Sequence, residues 1–175
     1  STSIPVTLLS TPLCIDPKSN EGLNPQKTEP TNPLYSLDKQ QSSLVYYDKN
    51  TIVLTMPYWV KVTNSSVEDS EVKKHSFVLS YDPEAMTASD TKLKLYISHV
   101  VEDAGETVTR SNFTYAYRAY SIRAALAAFK EKTGKLPKYL ELTAEINNSK
   151  DELVDKDGKE TSVERSVEYD YAFTE

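Results

Sequence analysis

Prolines are concentrated at the start of the chain, where they restrict the fold most strongly. Six of the nine prolines fall within the first 33 residues: Pro5, Pro12, Pro17, Pro25, Pro30 and Pro33. Each proline lacks an amide donor and biases the preceding residue toward extended geometry, so this region cannot form a helix or a central strand. The sequence therefore predicts an extended proline-rich arm over residues 1–42 and a folded body over residues 43–175.

The arm carries more apolar side chains than a solvated linker requires. Those that we expect to make contacts are Ile4, Leu8, Leu9, Leu13 and Ile15. Because removing apolar side chains from water is favourable, we predict that the arm docks on a folded surface. That surface is either its own body or a neighbouring subunit, and both alternatives stay open at this point.

The body alternates between apolar and polar residues, which is typical of half-buried β-strands. The alternation covers residues 51–56, 76–82, 92–102, 139–146 and 163–173, and a further short strand is predicted over 106–110. Asp48, Lys49 and Asn50 form a turn signal that predicts a hairpin into the strand at 51. The last two strands are predicted to form an antiparallel pair.

One helix interrupts the strand pattern. Ala119, Ile122, Leu126 and Phe129 recur at steps of three and four, and Gly134 provides a stop signal, so we predict a helix over residues 121–132. Residues 113–117 fit either an extension of this helix or a strand. Many strands with one helix predict a mainly β fold, an antiparallel β-sandwich or jelly-roll-like body rather than a βαβ array.

Few residue types suited to catalysis or metal binding occur in this chain. It has one cysteine, two histidines and four glycines, which excludes an internal disulfide, a His-rich zinc site and a glycine-rich phosphate loop. We expect Cys14 to be a small buried residue, His99 a satisfied histidine at the core margin, and His75 a solvent-facing residue. The sequence therefore predicts no enzyme activity and no cofactor.

Charge is unevenly distributed along the chain, whose formal net charge is -6. Residues 118–138, which include Arg118 and Arg123, have a net charge of +5, whereas residues 141–175 have a net charge of -7. This arrangement favours electrostatic contacts within the fold or between subunits, and it makes nucleic-acid binding an unfavoured interpretation of an acidic chain. No apolar run approaches the roughly 18 residues of a membrane-spanning helix.

The acidic residues of 151–160 surround Gly158 and have the composition of a calcium-binding loop. Leu153 occupies a position where an EF-hand needs a ligand, so a polar hairpin loop is the favoured interpretation. Weak binding of a divalent ion stays open as the alternative.

Tyrosine occurs 12 times and is enriched where protein surfaces meet. Together with the arm, this favours a non-enzymatic structural or assembly subunit of a virion shell, tail, decoration layer or surface filament. Its partners would be other copies of itself or a larger protein assembly.

The alternative is an exported or cell-surface module that recognises a glycan or protein through exposed aromatic residues, led by Tyr58 and Trp59. Pro57 makes their strand irregular and could leave them projecting, although burial of Trp59 in the core is the favoured interpretation.

Overall fold

Seven strands and two helices make up the part of the chain that the computed structural model describes, residues 23–29, 31–149 and 161–173. The strands are β1 (Ser43–Asp48), β2 (Thr51–Val60), β3 (His75–Ser80), β4 (Lys92–Val101), β5 (Asn112–Ser121), β6 (Tyr139–Ile146) and β7 (Val163–Asp170). The helices are α1 (Asp69–Val72) and α2 (Arg123–Thr133). The prediction of a mainly β body with little helix is confirmed.

The strands form two sheets that enclose a common core. The first sheet has the order β1-β2-β5, and the second has the order β3-β4-β6-β7. Because side chains alternate across a strand, Ile52, Leu54 and Met56 of β2 all point inward and are buried. Leu93, Leu95 and Ile97 of β4 meet them in one cluster of buried side chains, so the arrangement is sandwich-like.

The strand pairs are antiparallel with one exception. The predicted turn at residues 48–50 does connect β1 to β2, and β6 does pair with β7 in antiparallel fashion. However, β4 and β6 are parallel, which an all-antiparallel body does not allow. The reason is the connection between them: the chain crosses to the first sheet as β5 and returns through α2, so β6 enters beside β4 in the same direction.

The helix predicted over residues 121–132 is α2, which begins at Arg123 and ends at Thr133. Its apolar stripe, Leu126 and Phe129, is buried, and Gly134 follows with a left-handed backbone angle φ of 74°. Residues 113–117 belong to β5, so the strand interpretation was the right one for them. The strand predicted at 106–110 does not form, and the short α1 was not predicted.

Part of the arm joins the two sheets. Beyond the paired stretch of β4 and β6, Asn32 pairs with His99, and Leu34 pairs with both Ile146 of β6 and Tyr58 of β2. We call residues 31–35 the seam. Leu34 is 1% exposed, and the amide of the next residue donates to the carbonyl of Pro57 at 3.0 Å. The described portion of the arm therefore packs against the chain's own body.

Several predictions concern residues outside the described ranges. These are the contacts of Ile4, Leu8, Leu9, Leu13 and Ile15, the burial of Cys14, and the acidic loop at 151–160. Within the described ranges, no helix is long and apolar enough to cross a membrane.

Candidate binding surface

Apart from Asp48, which lies opposite Thr51 at the hairpin end, the outward side of the first sheet carries no charged side chain among the described residues. Residues paired across strands share a face, and the strand registers place the following residues on this side. They are Ser43, Val45 and Tyr47 of β1; Thr51, Val53, Thr55, Pro57 and Trp59 of β2; and Phe113, Tyr115, Tyr117, Ala119 and Ser121 of β5. We call this set the uncharged face. Because 26% of the residues in the chain are charged, a sheet side composed of uncharged residues stands out, and this is the composition expected of a contact surface.

Large apolar side chains of the uncharged face are open to solvent. Tyr47 is 81% exposed and Val45 is 58% exposed, while Tyr115 and Phe113 are close to 40%. Protein interfaces are depleted of charged residues at their centre and enriched in tyrosine and phenylalanine. The uncharged face shares both properties.

Aromatic rings are packed together at one end of the uncharged face. Tyr35 of the seam stacks on Phe113 with ring centroids 4.0 Å apart, and it meets Trp59 edge-on at 5.0 Å. Tyr115 continues the cluster with an edge contact to Phe113 at 5.9 Å. The Trp59 indole donates its Nε1 hydrogen to the carbonyl of Asn147 at 2.7 Å. These contacts fix the rings in place before any partner arrives.

The outward side of the second sheet has the opposite composition. We call it the charged face; it includes Lys92 and Lys94 of β4, Glu141 and Glu145 of β6, and Glu164, Glu168 and Asp170 of β7. Lys92 Nζ lies 2.6 Å from a carboxylate oxygen of Glu168 and 3.4 Å from one of Glu141. This side therefore has the composition of an ordinary solvated surface.

Tyr58 and Trp59 are both buried and do not project from the molecule. Tyr58 is 2% exposed and packs edge-on against Phe77 at 5.0 Å, and burial raises its pKa. Trp59 is 3% exposed beneath the ring of Tyr35. Pro57 does not disturb the pairing of β2 with β5, where it lies opposite Tyr115 in an unbroken register. The alternative in which these two aromatics project is therefore wrong, and the favoured burial of Trp59 is confirmed: Tyr58 points into the core, and Tyr35 of the seam packs on Trp59.

Arg118 and Arg123 do not lie on the uncharged face. Arg118 is on the inward side of β5, half-buried, with its guanidinium carbon 5.2 Å from the centroid of the Phe77 ring. Arg123 is exposed at the first position of α2. The structure thus separates two residues that the sequence grouped with the aromatics, and their role in subunit contacts stays a prediction.

Several tyrosines connect the two sheets instead of facing a partner. The hydroxyls of Tyr46, Tyr120 and Tyr171 donate hydrogen bonds of 2.8 Å to the carbonyls of Asp170, Phe77 and Lys49, respectively. Tyr46 and Tyr120 each link a strand of the first sheet to the second. Part of the tyrosine enrichment therefore serves the fold, and the candidates for contact are those on the uncharged face.

A buried cluster of charged and polar groups lies between α1, β3, β4 and the loop after β4. Arg110 donates from Nε to Glu71 at 2.7 Å and from both terminal nitrogens to Asp103 at 2.6 and 2.8 Å. His75 Nε2 lies 3.2 Å from Glu71, and His75 Nδ1 lies 2.8 Å from His99 Nε2. His75 is 5% exposed, so the prediction of a solvent-facing residue is wrong, whereas His99 is buried as expected.

The histidines of the cluster are held neutral. Burial lowers the pKa of His99 to about 3, and the neighbouring His75 acts in the same direction. Burial also lowers the pKa of His75, against the opposing effect of Glu71. A neutral His75 that donates from Nε2 to the Glu71 carboxylate accepts at Nδ1 from His99 Nε2, and the other ring nitrogen of His99, Nδ1, then carries no proton and lies 3.4 Å from the carbonyl oxygen of Pro33.

The carboxylates of the cluster are held ionised. Burial acts to raise the pKa of Glu71, but the Lys61 amide, Arg110 and His75 outweigh it, so this pKa is lowered. The hydrogen bonds from Arg110 lower the pKa of Asp103. Because the ring nitrogens are directed at each other, they do not converge on a common point. Within the described residues, no group of three or more His, Cys, Asp or Glu side chains could hold a metal ion.

The chain is similar to solved structures of bacterial proteins. No protein-family model matches it, and no curated protein matches it either. A crystal structure described as a candidate lipoprotein from Bacteroides fragilis shares the fold with a TM-score of 0.66 and 26% identity, over 87% of this chain and 69% of that chain. An uncharacterized protein from Parabacteroides merdae is more distant, with a TM-score of 0.47 and 12% identity over 88% of this chain and 67% of that chain.

Proposed function

We propose that this protein is a non-enzymatic module of the bacterial cell surface that binds another protein through the uncharged face. The observation that carries the proposal is a set of thirteen uncharged residues on one side of a sheet, with Asp48 as the one charged residue at the hairpin end of that side, which displays Tyr47, Phe113 and Tyr115 to solvent. Exposed apolar patches of this kind mark interaction sites in soluble domains. The sequence-based hypothesis assigned binding to exposed aromatic residues led by Tyr58 and Trp59. The present proposal retains this mode of binding but assigns it to these three rings.

The cell-surface part of the proposal is supported by the structural likeness. The similar chain from Bacteroides fragilis is described as a candidate lipoprotein. Lipoproteins are held at a membrane surface by acyl chains, which leaves the folded domain available to partners. We carry this location over to the present chain as a hypothesis.

A protein partner fits the uncharged face better than a glycan does. A sugar-binding site needs polar groups that converge on the hydroxyls of the ligand. The exposed part of the uncharged face spreads its rings, aliphatic groups and hydroxyls over a sheet, the hydroxyl of Ser43 already donates to Thr55, and the ring of Phe113 is already stacked on Tyr35. This arrangement is suited to the apolar side chains of another protein.

The non-enzymatic part of the proposal rests on the buried cluster. Its two histidines are buried, and its carboxylates receive hydrogen bonds from Arg110 and His75. A general base must reach the proton that it removes from a substrate, and groups engaged in this way act in the fold instead. We therefore assign the cluster a structural role.

The proposal can be tested with a photo-crosslinking amino acid in the full chain on intact cells. We expect position Tyr115 or Tyr47 to give a discrete covalent adduct with a partner protein. The matched control positions are Glu164 and Lys94, on the charged face, from which we expect no such adduct. Equal adducts from both faces, or none from the uncharged face, would contradict the proposal.

A second candidate is an assembly subunit that binds another copy of itself. Two copies with a net charge of -6 repel each other, and contact through a surface without charges keeps like charges apart. The same crosslinking experiment separates the candidates, since an adduct of twice the protomer mass identifies self-assembly. A role in a virion is part of this second candidate.

A further inference from the structure

The outermost strands of the two sheets differ in how their edges are protected against pairing with another strand. Exposed edges are normally blunted by shortness, bulges, charged residues or a covering segment. β1 is short and has a register shift between Tyr46 and Asp48. β7 carries four charged residues among its eight, and β3 is bordered at its end by Asn24 of the arm, whose amide donates to the carbonyl of Leu79 at 3.2 Å. Each of these three edges is therefore protected.

β5 is the outermost strand on the other side of the first sheet within the described residues, and it has none of these features. It is ten residues long, contains no proline and pairs with β2 in an unbroken register. Arg118 is its single charged residue, and that side chain lies on the inward side. A long, flat edge with so little charge is the kind to which an extended segment of another chain adds.

The hydrogen-bond register identifies which backbone groups of β5 point to this edge. In an antiparallel pair, opposite residues alternate between hydrogen-bonded and non-hydrogen-bonded pairs. The amide of Ile122 donates to the carbonyl of Asn50 at 2.7 Å, and the same register continues through the whole of β5. The even-numbered residues of β5 are therefore those bonded to β2, and the amides and carbonyls of the odd-numbered residues point away from it.

Pro57 gives an independent check of this assignment. It lies opposite Tyr115 and has no amide to donate, which a non-hydrogen-bonded pair accommodates without losing a bond. Its carbonyl accepts from the Tyr35 amide at 3.0 Å, on the side of β2 away from β5. The backbone groups of Tyr115 thus face the edge, as the register indicates.

The odd-numbered residues of β5 are also the ones that belong to the uncharged face. They are Phe113, Tyr115, Tyr117, Ala119 and Ser121. Among the described residues, the one hydrogen bond to their edge-facing backbone groups comes from Arg118, which donates from Nη1 to the carbonyl of Tyr117 at 3.0 Å. The same five residues therefore present side chains on the uncharged face and backbone donors and acceptors at its border.

The shape of this side of the molecule favours a single extended segment over a second copy of the sandwich. β3 lies under β5, since the Tyr120 hydroxyl donates to the carbonyl of Phe77 at 2.8 Å. Asn24 extends the second sheet beyond β3, whereas the first sheet, as far as the structure describes it, ends at β5. This step leaves room for one strand beside β5, while the arm obstructs a whole domain that approaches from the same side.

Charge favours the same choice. If two copies paired through the middle of their β5 edges, their two Arg118 side chains would lie on neighbouring strands. Like charges in neighbouring strands are destabilising. An extended segment of a different protein brings no such pair.

We propose that the partner protein adds an extended segment to the edge of β5 as a fourth strand of the first sheet. This inference rests on the proposed function, because it specifies how the partner of the uncharged face is held. Main-chain hydrogen bonds to the odd-numbered residues of β5 supply affinity, and alternate side chains of the segment lie beside the rings of the uncharged face and supply specificity. The segment therefore carries uncharged, apolar side chains at every second position.

The first test removes one edge-facing amide without removing a bond to β2. Ala119→Pro does this, and Glu164→Pro is the matched control on β7. The bond from the Tyr171 amide to the Lys138 carbonyl shows that odd-numbered residues of β7 bond to β6, so the Glu164 amide also faces an edge. With a photo-crosslinking amino acid at Tyr115 on intact cells, we expect Ala119→Pro to lower the adduct about tenfold or more, because a donor is lost. We expect Glu164→Pro to leave the adduct unchanged.

The outcomes separate this inference from the proposed function. An adduct that Ala119→Pro leaves intact, or that both prolines weaken equally, would overturn strand addition although the uncharged face still binds its partner. No adduct in the chain without either proline would contradict the proposed function, and strand addition with it. Thermal denaturation of both variants checks that the fold is retained.

A second measurement needs no proline and decides the question if Ala119→Pro folds poorly. The photo-crosslinking amino acid is placed at Tyr115 in one sample and at Ser121, six residues further along β5, in another. Digestion and mass spectrometry then locate the crosslinked residues of the partner. We expect both in one segment of the partner, about six residues apart, since neighbouring strands have nearly the same rise per residue. Crosslinks to separate segments, or to β5 of a second copy, would overturn the proposal.

Discussion

The two sheets use the same alternation of side chains but differ in where they place charge. Both point apolar residues inward, yet the outward side of the first sheet has a charge only at Asp48 beside the hairpin turn, whereas the second carries Lys92, Glu141 and Glu168 there. The second sheet also contributes His75 and His99 to the buried charged cluster. The comparison teaches that the inward pattern determines the fold, while the outward pattern is free to differ between the two sheets.

The largest expected effect comes from the buried charges beside the second sheet. Arg110→Met removes the cation that pairs with Glu71 and Asp103, and we expect the free energy of unfolding to fall by about 4 kcal/mol, because one partner of a buried ion pair is left alone. Urea denaturation measures this loss. Lys92→Met on the charged face is the control and should change little, since exposed ion pairs contribute weakly. Equal losses would remove the distinction between buried and exposed charges.

The next effect concerns the seam between the sheets. Leu34→Ala deletes a fully buried side chain that contacts strands of both sheets, and we expect a loss of about 3 kcal/mol from lost burial and the resulting cavity. Val45→Ala on the uncharged face should change the free energy of unfolding by less than about 0.5 kcal/mol. Chemical denaturation of the two variants side by side makes the comparison. A harmless Leu34→Ala would mean that the sheets are held together without the seam.

Acid should destabilise the second-sheet side of the molecule. The pKa values of His75 and His99 are lowered in the folded state, so below pH 6.5 the unfolded chain binds more protons than the folded one. Stability is then lost as pH falls, by about 1.4 kcal/mol per pH unit for each histidine that stays neutral. The lowered pKa values of Glu71 and Asp103 extend the loss to lower pH.

Denaturation midpoints measured between pH 7.5 and 5 test this dependence. His99→Gln should reduce the slope of stability against pH by about half, because one of the two neutral histidines is removed. A slope that is unchanged in this variant would show that His99 does not contribute to the acid sensitivity.

The smallest effect on stability is expected on the uncharged face. Tyr47→Glu and Tyr115→Glu place a charge on exposed positions, so the free energy of unfolding should change by no more than about 0.5 kcal/mol. Thermal denaturation measures the stability. In each variant the crosslinking amino acid is placed at the other of the two positions, and the adduct described above should disappear. A large loss of stability would mean that the uncharged face serves folding and not binding.

Much of the fold could be predicted from the sequence because alternation is a local signal. The strands at residues 51–60, 92–101, 139–146 and 163–170 and the helix α2 lie where the periodicity placed them. The parallel pairing of β4 with β6 depends on the chain crossing between sheets, which no local pattern records.

The candidate surface was harder to predict than the fold. Tyr58 and Trp59 have the residue types of a binding site, but the seam covers their end of β2, and that contact joins residues far apart in the chain. His75 follows two lysines and so resembled a surface residue, although α1 and β4 enclose it. One signal could have revealed the uncharged face, namely the absence of charge at alternate positions of residues 43–47, 51–59 and 113–121.

The position of Leu34 has a consequence for the order of folding. It precedes the strands β1 to β7 in the chain, yet it is completed by Ile146, which belongs to β6. Contacts between residues far apart in the chain form slowly, because the entropy of a long loop is lost before the contacts contribute favourable free energy. We therefore expect the amides of Leu34 and Tyr35 to become protected from exchange during refolding only after those of β1 and β2. A chain emerging from a ribosome or a translocation pore would keep its two sheets unlocked until β6 has also emerged.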